Sequence, residues 1–452
     1  MGNGCTASFA GLEGQQVSIP FQVVGILTRL EDAGFRAYIV GGCVRDMYLG
    51  REPKDWDITT SATPDEVKSL FDKVVPTGEK YGTVTVMMGS VGYEVTTMRR
   101  DGIYKDGRRP ESVDFTDSIV EDLARRDLTI NAVARDRHGN AFDPFDGIRD
   151  LNNGVIRAVG VPSERFMEDA LRMMRVPRFA AQLAFSVEEH TIAAITNLSS
   201  LIRNVSPERI RDELVKILMS DHPIIGLHGL QALGLMDEIL PEIARGYGFD
   251  QHNTHHIKDV FGHTALVVSA SPRNITTRLA ALFHDVAKPT TFTMGDDGVG
   301  HFYNHETVGA EMTEDILRRL KFDNDTVDRV SVLVREHMCH PASMPSVKRL
   351  MNRVGVDNMD ALVDLQHADI MGQKPPHDFS LVQKLNDTYR LILEQKPPMS
   401  VVDLAINGHD LMGAGIPQGP RIGAILKRLR EAVIEQPELN ERDTLLEMAN
   451  LD

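Results

Sequence analysis

Two aspartates separated by a single residue, Asp55 and Asp57, have a spacing that could support catalysis on a phosphate. Residues two apart on a β-strand point to the same face, and we expect a strand over residues 55–59. Two carboxylates side by side repel each other unless a divalent cation lies between them. Such oxygen ligands suit Mg²⁺, which takes its remaining ligands from water and substrate phosphates. The pair therefore predicts a Mg²⁺ site.

A glycine pair shortly before the aspartates strengthens this interpretation. Taken alone, an Asp-x-Asp sequence is more often a solvated turn than a metal site. Here Gly41 and Gly42 supply backbone that can approach a triphosphate closely, and Arg45 is a charge-matched clamp for it. Glu94, on a later predicted strand, is the candidate for a third carboxylate near the metal.

A second group of charged residues could recognise a base. Asp169, Arg172 and Arg175 recur at a spacing of three, which would place them on one face of a helix. A carboxylate accepts hydrogen bonds from an amino group, and a guanidinium donates to ring nitrogens and carbonyls. One Asp-Arg pair could thus read the Watson–Crick edge of a base. In isolation, an ordinary ion pair on a solvated helix is the better explanation of this spacing.

These motifs together resemble one enzyme family. Residues 41–46 (GGCVRD) and 55–57 (DWD) resemble the signature of the class II tRNA nucleotidyltransferase and bacterial poly(A) polymerase family. Residues 125–132 (RRDLTINA) resemble that family's nucleotide-binding motif, and residues 168–179 resemble its protein template for base selection. The motifs agree in order and spacing, so the resemblance spans most of the chain.

The resemblance implies the fold class and the domain organisation. We expect an α+β N-terminal nucleotidyltransferase head, polymerase β-like in fold, followed by all-α neck, HD and tail regions. The expected ranges are residues 20–160 for the head, 161–250 for the neck with its nucleotide-selecting template, 251–375 for the HD domain and 400–452 for a tail that contacts the tRNA body. Helical periodicity from Pro162 onward agrees with this division.

The resemblance also implies a reaction and the residues that perform it. The 3′ hydroxyl of tRNA would attack the α-phosphate of CTP or ATP, with Asp55 and Asp57 holding Mg²⁺ and Glu94 assisting. The residues expected to bind the nucleotide are Gly42, Arg45, Arg126, Asp127, Asn131, Asp169, Arg172, Arg175 and Arg178. Among these, Asp169 and Arg172 would select CTP and ATP over GTP and UTP without a nucleic-acid template.

Histidines in the middle of the chain indicate a second metal site. The residues that follow the order of an HD domain are His263, His284, Asp285, His305, His337 and Asp369. Histidine and aspartate side chains from several helices can converge on one or two metals, here Mn, Ni, Fe or Mg. In some tRNA nucleotidyltransferases this domain is a working phosphohydrolase and in others it is degenerate, so the sequence predicts metal binding and leaves hydrolysis open.

Three further segments are assigned by resemblance. Residues 99–109 are expected to form a mobile loop that takes part in the switch from C to A addition. Residues 206–214 resemble a motif with a structural role at a helix start. In the tail, Lys427, Arg428 and Arg430 could contact phosphates, although a solvated helix face explains each of them equally well.

The composition permits an RNA-binding enzyme without indicating one. The 452 residues carry a net charge of −16, whereas nucleic-acid binders are often basic, so we expect modest, salt-sensitive RNA affinity from local basic clusters. No apolar run approaches the roughly 20 residues that span a bilayer, so no membrane association is expected. Three cysteines and the lack of a signal peptide favour the cytoplasm. No oligomeric state is predicted.

Three alternative functions remain open. A bacterial poly(A) polymerase would share the head, but such enzymes tend to be basic and usually lack an HD domain. An enzyme that adds only CC or only A would share the mechanism. In a third alternative, the HD phosphohydrolase is the main activity and the head only binds nucleotide or RNA. The presence of both metal aspartates and of the template arginine disfavours this last alternative.

Overall fold

The computed structural model describes residues 17–102, 113–250, 252, 259–296, 298–341, 343–395 and 397–450. The chain divides into two compact units, Met1–Ile239 and Leu240–Asp452. Among the described residues, no helix has both the length and the apolar character that crossing a bilayer requires.

The first unit begins with a mixed α/β region and continues with helices. Its strands are β1 (Ala37–Val40), β2 (Ile58–Thr60), β3 (Val74–Gly78), β4 (Thr83–Met88), β5 (Val91–Thr97), β6 (Arg99–Asp101), β7 (Val113–Phe115), β8 (Ala134–Arg135), β9 (Ala141–Phe142), β10 (Val155–Ile156) and β11 (Ser186–Val187). Its helices are α1 (Phe21–Asp32), α2 (Gly42–Tyr48), α3 (Pro64–Leu70), α4 (Ile119–Ala124), α5 (Gly147–Asn153), α6 (Pro162–Glu168), α7 (Leu171–Leu183), α8 (Glu189–Leu198), α9 (Pro207–Leu218), α10 (Pro223–Ala232) and α11 (Leu235–Ile239).

Among the described residues, seven strands form a mixed sheet in the order β3-β4-β5-β2-β1-β8-β9. Strands β2 and β5 are parallel, with Ile58 opposite Val95, whereas β2 and β1 are antiparallel. Apolar residues of α1, such as Ile26, pack with residues of the sheet into one buried core. This arrangement confirms the predicted α+β head.

The strand predicted over residues 55–59 begins later than expected. Strand β2 starts at Ile58, and both aspartates lie in the segment that enters it. The β-branched residues that the sheet buries begin only at Ile58, whereas Asp55 is exposed and Asp57 is only partly buried. The same-face argument for a strand therefore does not apply to this pair. Ile58 of β2 lies opposite Val95 of the parallel strand β5. Asp57 and Glu94 each precede one of these residues by one position, so the register places them opposite each other.

The single helix expected through Asp169 and Arg175 is divided in two. Helix α6 ends at Glu168, Asp169 has an extended backbone (φ −146°, ψ 104°), and α7 begins at Leu171. The Asp169 carboxylate accepts a hydrogen bond from the Leu171 amide at 3.0 Å. Aspartate competes for backbone donors in this way, which explains why the prediction of one continuous helical face was wrong.

The second unit is predominantly helical, as predicted. Its helices are α12 (Pro241–Ala244), α13 (Val260–Ala270), α14 (Ile275–Phe283), α15 (Lys288–Thr291), α16 (His305–Arg319), α17 (Asn324–Glu336), α18 (Met344–Val354), α19 (Met359–Met371), α20 (Ser380–Gln395), α21 (Gly408–Gly413), α22 (Pro420–Glu435) and α23 (Arg442–Ala449). It also contains an antiparallel pair that was not predicted, formed by β12 (Phe292–Met294) and β13 (Gly300–Phe302).

Candidate functional site

Three carboxylates, those of Asp55, Asp57 and Glu94, interact electrostatically near the start of β2. Burial raises the pKa of Asp57, the charge of Arg126 opposes this increase, and the charge of Asp55 adds to it. Burial also raises the pKa of Glu94, and the charges of Asp57 and Asp55 raise it further. The three predicted residues therefore repel one another electrostatically. A bound cation would relieve this repulsion.

The turn before α2 depends on Gly41. Its φ of 82° lies in the region that favours glycine. A Cβ at this position would lie 3.1 Å from Nη1 of Arg126 and 3.8 Å from Oδ2 of Asp57. Close approach to a triphosphate was expected at both glycines, and at Gly42 a Cβ would lie 3.8 Å from the Arg45 guanidinium. The tighter position is thus Gly41, and its backbone angle could not be read from the motif.

Arg45 and Asn131 come together beside this turn. Nη1 of Arg45 donates to Oδ1 of Asn131 at 2.9 Å, and Nη2 donates to Oδ1 of Asp46 at 2.8 Å. The Arg45 guanidinium also lies over the Phe179 ring, 5.0 Å from its centre. Two buried nitrogens, Nδ2 of Asn131 and Nε of Arg126, have no hydrogen-bond partner among the described residues. A ligand that accepts hydrogen bonds would satisfy them.

Arg126 is held by a buried aspartate that the sequence did not single out. Oδ2 of Asp122 lies 3.3 Å from Nη2 of Arg126, and Oδ1 accepts from Nη2 of Arg125 at 2.7 Å. Burial alone would raise the pKa of Asp122, but the charges of Arg125 and Arg126 outweigh this effect and lower the pKa. An aspartate three and four residues before two arginines on a helical stretch is the signal that could have identified these pairs.

Three of the residues expected to bind nucleotide form ion pairs inside the first unit. Oδ2 of Asp127 lies 2.5 Å from Nε of Arg175. Nε of Arg178 lies 3.1 Å from Oε2 of Glu213, which belongs to α9 and was not predicted to contribute. Burial lowers the pKa of Arg178 to about 10, against the opposing charge of Glu213. These side chains connect α7 to the head and to α9.

Asp169 and Arg172, the pair expected to read the base, are each hydrogen-bonded to other residues. Asp169 accepts two hydrogen bonds from Arg209, at 3.2 and 2.6 Å, so a residue of the motif at the start of α9 contacts the template directly. Arg172 donates from Nη1 to Glu168 at 2.7 Å and from Nη2 to the carbonyl of Arg125 at 3.0 Å. Arg209 and Glu168 are therefore additional members of this group.

The loop expected over residues 99–109 falls partly outside the described residues. Arg99–Asp101 forms β6 and pairs with β7. Residues 103–112, which include most of the expected loop, are not among the described residues. The prediction of a mobile element therefore remains a prediction.

In the second unit, four histidines turn the same ring nitrogen toward backbone carbonyls. Nδ1 of His263, His284, His305 and His337 lies 3.2, 2.8, 2.8 and 2.7 Å from the carbonyl oxygens of Gly372, Ala281, Phe302 and Val334. A carbonyl only accepts hydrogen bonds, so Nδ1 donates in each contact, and Nε2 of each ring faces the other side, where it could bind a metal. Nε2 of His305 and of His337 is buried, with no hydrogen-bond partner among the described residues.

The ligand atoms of this cluster fall into two sets, each with all its atoms within 4.8 Å of one another. The sets are His263, His284 and Asp369, and Asp285, His305 and His337. Asp285 faces both, because its Oδ2 lies 3.2 Å from Nε2 of His284 and its Oδ1 lies 3.6 Å from Nε2 of His305. Lys288, which was not predicted, places Nζ 2.7 Å from the same Oδ2. All six predicted residues are thus brought together.

Comparison with protein families gives three successive matches. Residues 37–157 match the family described as Poly A polymerase head domain, and residues 184–246 match the RNA and SrmB-binding site of polymerase A. Residues 305–449 match tRNA nucleotidyltransferase domain 2. The first match includes Asp55, Asp57 and Glu94 and the turn at Gly41.

Individual relatives cover nearly the whole chain. A CCA-adding enzyme of Lactobacillus helveticus is 38% identical over 425 residues, which are 93% of this chain and 94% of that protein. One of Levilactobacillus brevis is 35% identical over 423 residues, 93% of this chain and 95% of that protein. The crystal structure of a Bacillus stearothermophilus CCA-adding enzyme in complex with CTP superposes with a TM-score of 0.74 at 29% identity, covering 95% of this chain and 96% of that one. From its sequence and its fold, the chain belongs to the family of CCA-adding enzymes.

Proposed function

We propose that this protein adds C, C and A to the 3′ end of tRNA from CTP and ATP, without a nucleic-acid template. The observation that carries the proposal is the convergence of Arg45, Arg126 and Asn131 on the Gly41 turn, beside Asp57, with buried N–H groups left for a ligand. The relatives that match over more than nine-tenths of the chain are CCA-adding enzymes, which supports this assignment.

In this reaction the 3′ hydroxyl of tRNA attacks the α-phosphate, a phosphodiester bond forms and pyrophosphate leaves. Enzymes of this family use a divalent metal, and we assign Mg²⁺ to Asp55 and Asp57, with Glu94 assisting. This all-oxygen donor set fits Mg²⁺, which when bound stabilises charge on the attacking and leaving oxygens. Arg45 and Arg126 neutralise and orient the triphosphate.

Base selection is assigned to Asp169 and Arg172. Asp169 is fixed by Arg209, and Arg172 is fixed by Glu168 and by a backbone carbonyl, so both side chains are held in position before a nucleotide arrives. A carboxylate acceptor and a guanidinium donor on a rigid support can distinguish bases by their hydrogen-bonding edges. Arg175 supports this arrangement through its ion pair with Asp127.

We assign four functional regions to the chain: residues 20–160 for nucleotidyl transfer, 161–250 for base selection, 251–375 for the HD domain and 400–452 for the tRNA body. In the tail, Lys427 and Arg428 are exposed on α22, which suits contact with phosphates. Arg428 also donates to the Met448 carbonyl at 2.8 Å, and Arg430 is ion-paired with Glu431. We place the reaction in the cytoplasm, where the free thiols of Cys43 and Cys339 would be stable.

The test is incubation with tRNA transcripts that end before CCA, after C and after CC, each with CTP, ATP or both. Ordered addition that stops at CCA, read at single-nucleotide resolution, is the expected result. Long A tails would instead identify a poly(A) polymerase. Addition confined to CC or to the terminal A would identify the narrower enzymes.

We propose metal-dependent phosphohydrolysis as a second activity, located at the histidine cluster. The observation that favours it is the common orientation of the four imidazoles, each with Nε2 available beside Asp285 or Asp369. Imidazole and carboxylate donors suit Mn, Fe or Ni, which would supply an activated water when bound. Lys288 adds a positive charge that could hold a phosphate ester or a 2′,3′-cyclic phosphate.

Separate substitutions distinguish the two activities. Asp55→Ala should abolish nucleotide addition and leave hydrolysis of 2′,3′-cyclic AMP intact. Asp285→Ala should do the reverse. Loss of nucleotide addition only in Asp285→Ala would contradict the assignment of that reaction to the head.

A further inference from the structure

Asp122 is a buried carboxylate at the centre of the head's polar network. Its side chain, on α4, has 0% exposure. Its donors come from four residues: Nε and Nη2 of Arg125 at 2.9 and 2.7 Å, Nη2 of Arg126 at 3.3 Å, Oγ1 of Thr59 at 3.3 Å and the backbone N–H of Arg99 at 3.4 Å. Both carboxylate oxygens are therefore fully used, which offsets much of the cost of burying the charge.

One of these partners belongs to the candidate site, and another lies on the strand that follows it. Nη1 of Arg126 lies 3.1 Å from the position that a Cβ of Gly41 would occupy, and the charge of Arg126 opposes the rise that burial causes in the pKa of Asp57. Thr59 lies on β2, two residues after Asp57. One carboxylate thus contacts both the strand that follows the metal-binding segment and the guanidinium assigned to the triphosphate.

We propose that Asp122 is a positioning residue for nucleotide binding, which holds the Arg126 guanidinium beside Asp57 in the orientation that receives the triphosphate. An arginine side chain without a fixed partner loses rotamer freedom when it binds a ligand, and this loss weakens binding. Asp122 fixes the orientation of the Arg126 guanidinium before the nucleotide binds. The inference rests on the role proposed for Arg126.

Asp122→Asn keeps the shape of the side chain and removes its charge. If the remaining carbonyl oxygen stays with Arg125, the new NH₂ group faces the Arg126 guanidinium, donor against donor. We expect the KM for CTP and for ATP to rise about tenfold while kcat changes less than about threefold, since one well-oriented contact to the phosphates is weakened.

Asp150→Asn is the matched control. Asp150 is equally buried, with 1% exposure, and is also paired with an arginine, Arg157, at 3.0 Å. Its other side-chain hydrogen bond among the described residues is with Thr129, so it differs from Asp122 in having no hydrogen bond to Arg126 among these residues. This variant should lose thermal stability as Asp122→Asn does, but keep the KM of the native protein. A KM that rises equally in both variants would overturn the inference, because general loosening of the head would explain it.

A double-substitution cycle separates this inference from the proposed function. Arg126→Ala should raise the KM, and Asp122→Asn should add nothing further in the Arg126→Ala background. If Arg126→Ala leaves the KM unchanged, the role proposed for Arg126 is wrong. Two other results would refute the positioning role of Asp122 but leave the role of Arg126 intact. In the first, Arg126→Ala raises the KM and Asp122→Asn alone does not. In the second, the double variant has a KM raised by the product of the two single effects.

Discussion

Both carboxylate oxygens of Asp169 are held by Arg209, through hydrogen bonds of 3.2 and 2.6 Å. Asp169 lies at the break between α6 and α7, and Arg209 lies 40 residues later in the first turns of α9. A bidentate Arg–carboxylate contact fixes the plane of the carboxylate as well as its position. The orientation of the proposed base-reading group is thus set by a helix distant in sequence.

Arg209→Ala should reduce the accuracy of nucleotide selection. Without the two hydrogen bonds, the Asp169 carboxylate can rotate, and we expect discrimination against UTP and GTP to fall about tenfold, equivalent to one lost charge-assisted hydrogen bond. The measurement is kcat/KM for each nucleotide on tRNA lacking CCA. Arg211→Ala is the control, because Arg211 is paired with its surface neighbour Asp212 at 2.9 Å. Unchanged discrimination in Arg209→Ala would refute the role.

Gly41→Ala should impair nucleotide binding as well as stability. The positive φ strains an alanine by about 1–3 kcal/mol, and the new methyl group would push against Arg126. Gly34→Ala is the control, since Gly34 has a φ of 90° but no atom within 4 Å of the position that its methyl group would occupy. We expect both variants to melt at lower temperature and only Gly41→Ala to show a raised KM for CTP. An equal KM in the two variants would contradict the close approach at Gly41.

Asp127→Asn should destabilise the first unit in a pH-dependent manner. Burial alone would raise the pKa of Asp127, but the charges of Arg175 and Arg172 outweigh this effect and lower the pKa. A depressed carboxyl pKa contributes stability that is present above the unfolded value, about 3.9, and is lost as the pH falls through the folded value. Breaking this buried pair should cost about 3 kcal/mol at pH 7, and the difference from the native protein should shrink below about pH 4.

Urea unfolding followed by fluorescence measures this effect, because Trp56 is the single tryptophan and lies in the first unit. Asp65→Asn is the control, since the Asp65 side chain is 90% exposed and should change stability by less than about 0.5 kcal/mol. A difference between Asp127→Asn and the native protein that is independent of pH would show that the ion pair is not the source of stability.

The histidine cluster should bind two ions, one for each set of ligand atoms. After reconstitution with Mn²⁺, Asp285→Ala should lose the ion of its own set and bind the other ion more weakly, because Asp285 also lies 3.2 Å from Nε2 of His284. His337→Ala should retain one, since the set of His263, His284 and Asp369 is complete without it. Metal analysis of the purified protein gives the counts, with His409→Ala as an exposed control. Two ions remaining in Asp285→Ala would exclude the proposed arrangement.

The sequence by itself predicted most residues of the two candidate sites, and it predicted the α+β head followed by helices. Short motifs such as Gly41–Asp46 specify local chemistry, because a glycine turn and adjacent charges act over a few residues. The order of the six HD residues likewise anticipated a cluster, since a packed group of helices can bring histidines and aspartates to one point.

The tertiary structure decided which charged groups pair with which. Asp169 was expected beside Arg172, but its carboxylate is held by Arg209, and Arg172 turns to Glu168. Asp122 lies only four residues before Arg126, but its contacts with Thr59 and with the backbone of Arg99 come from strands distant in sequence. Ion pairs form between groups that packing brings within a few ångströms, and spacing along the chain restricts only neighbours on one helix. Partners supplied by distant helices therefore cannot be read from the sequence.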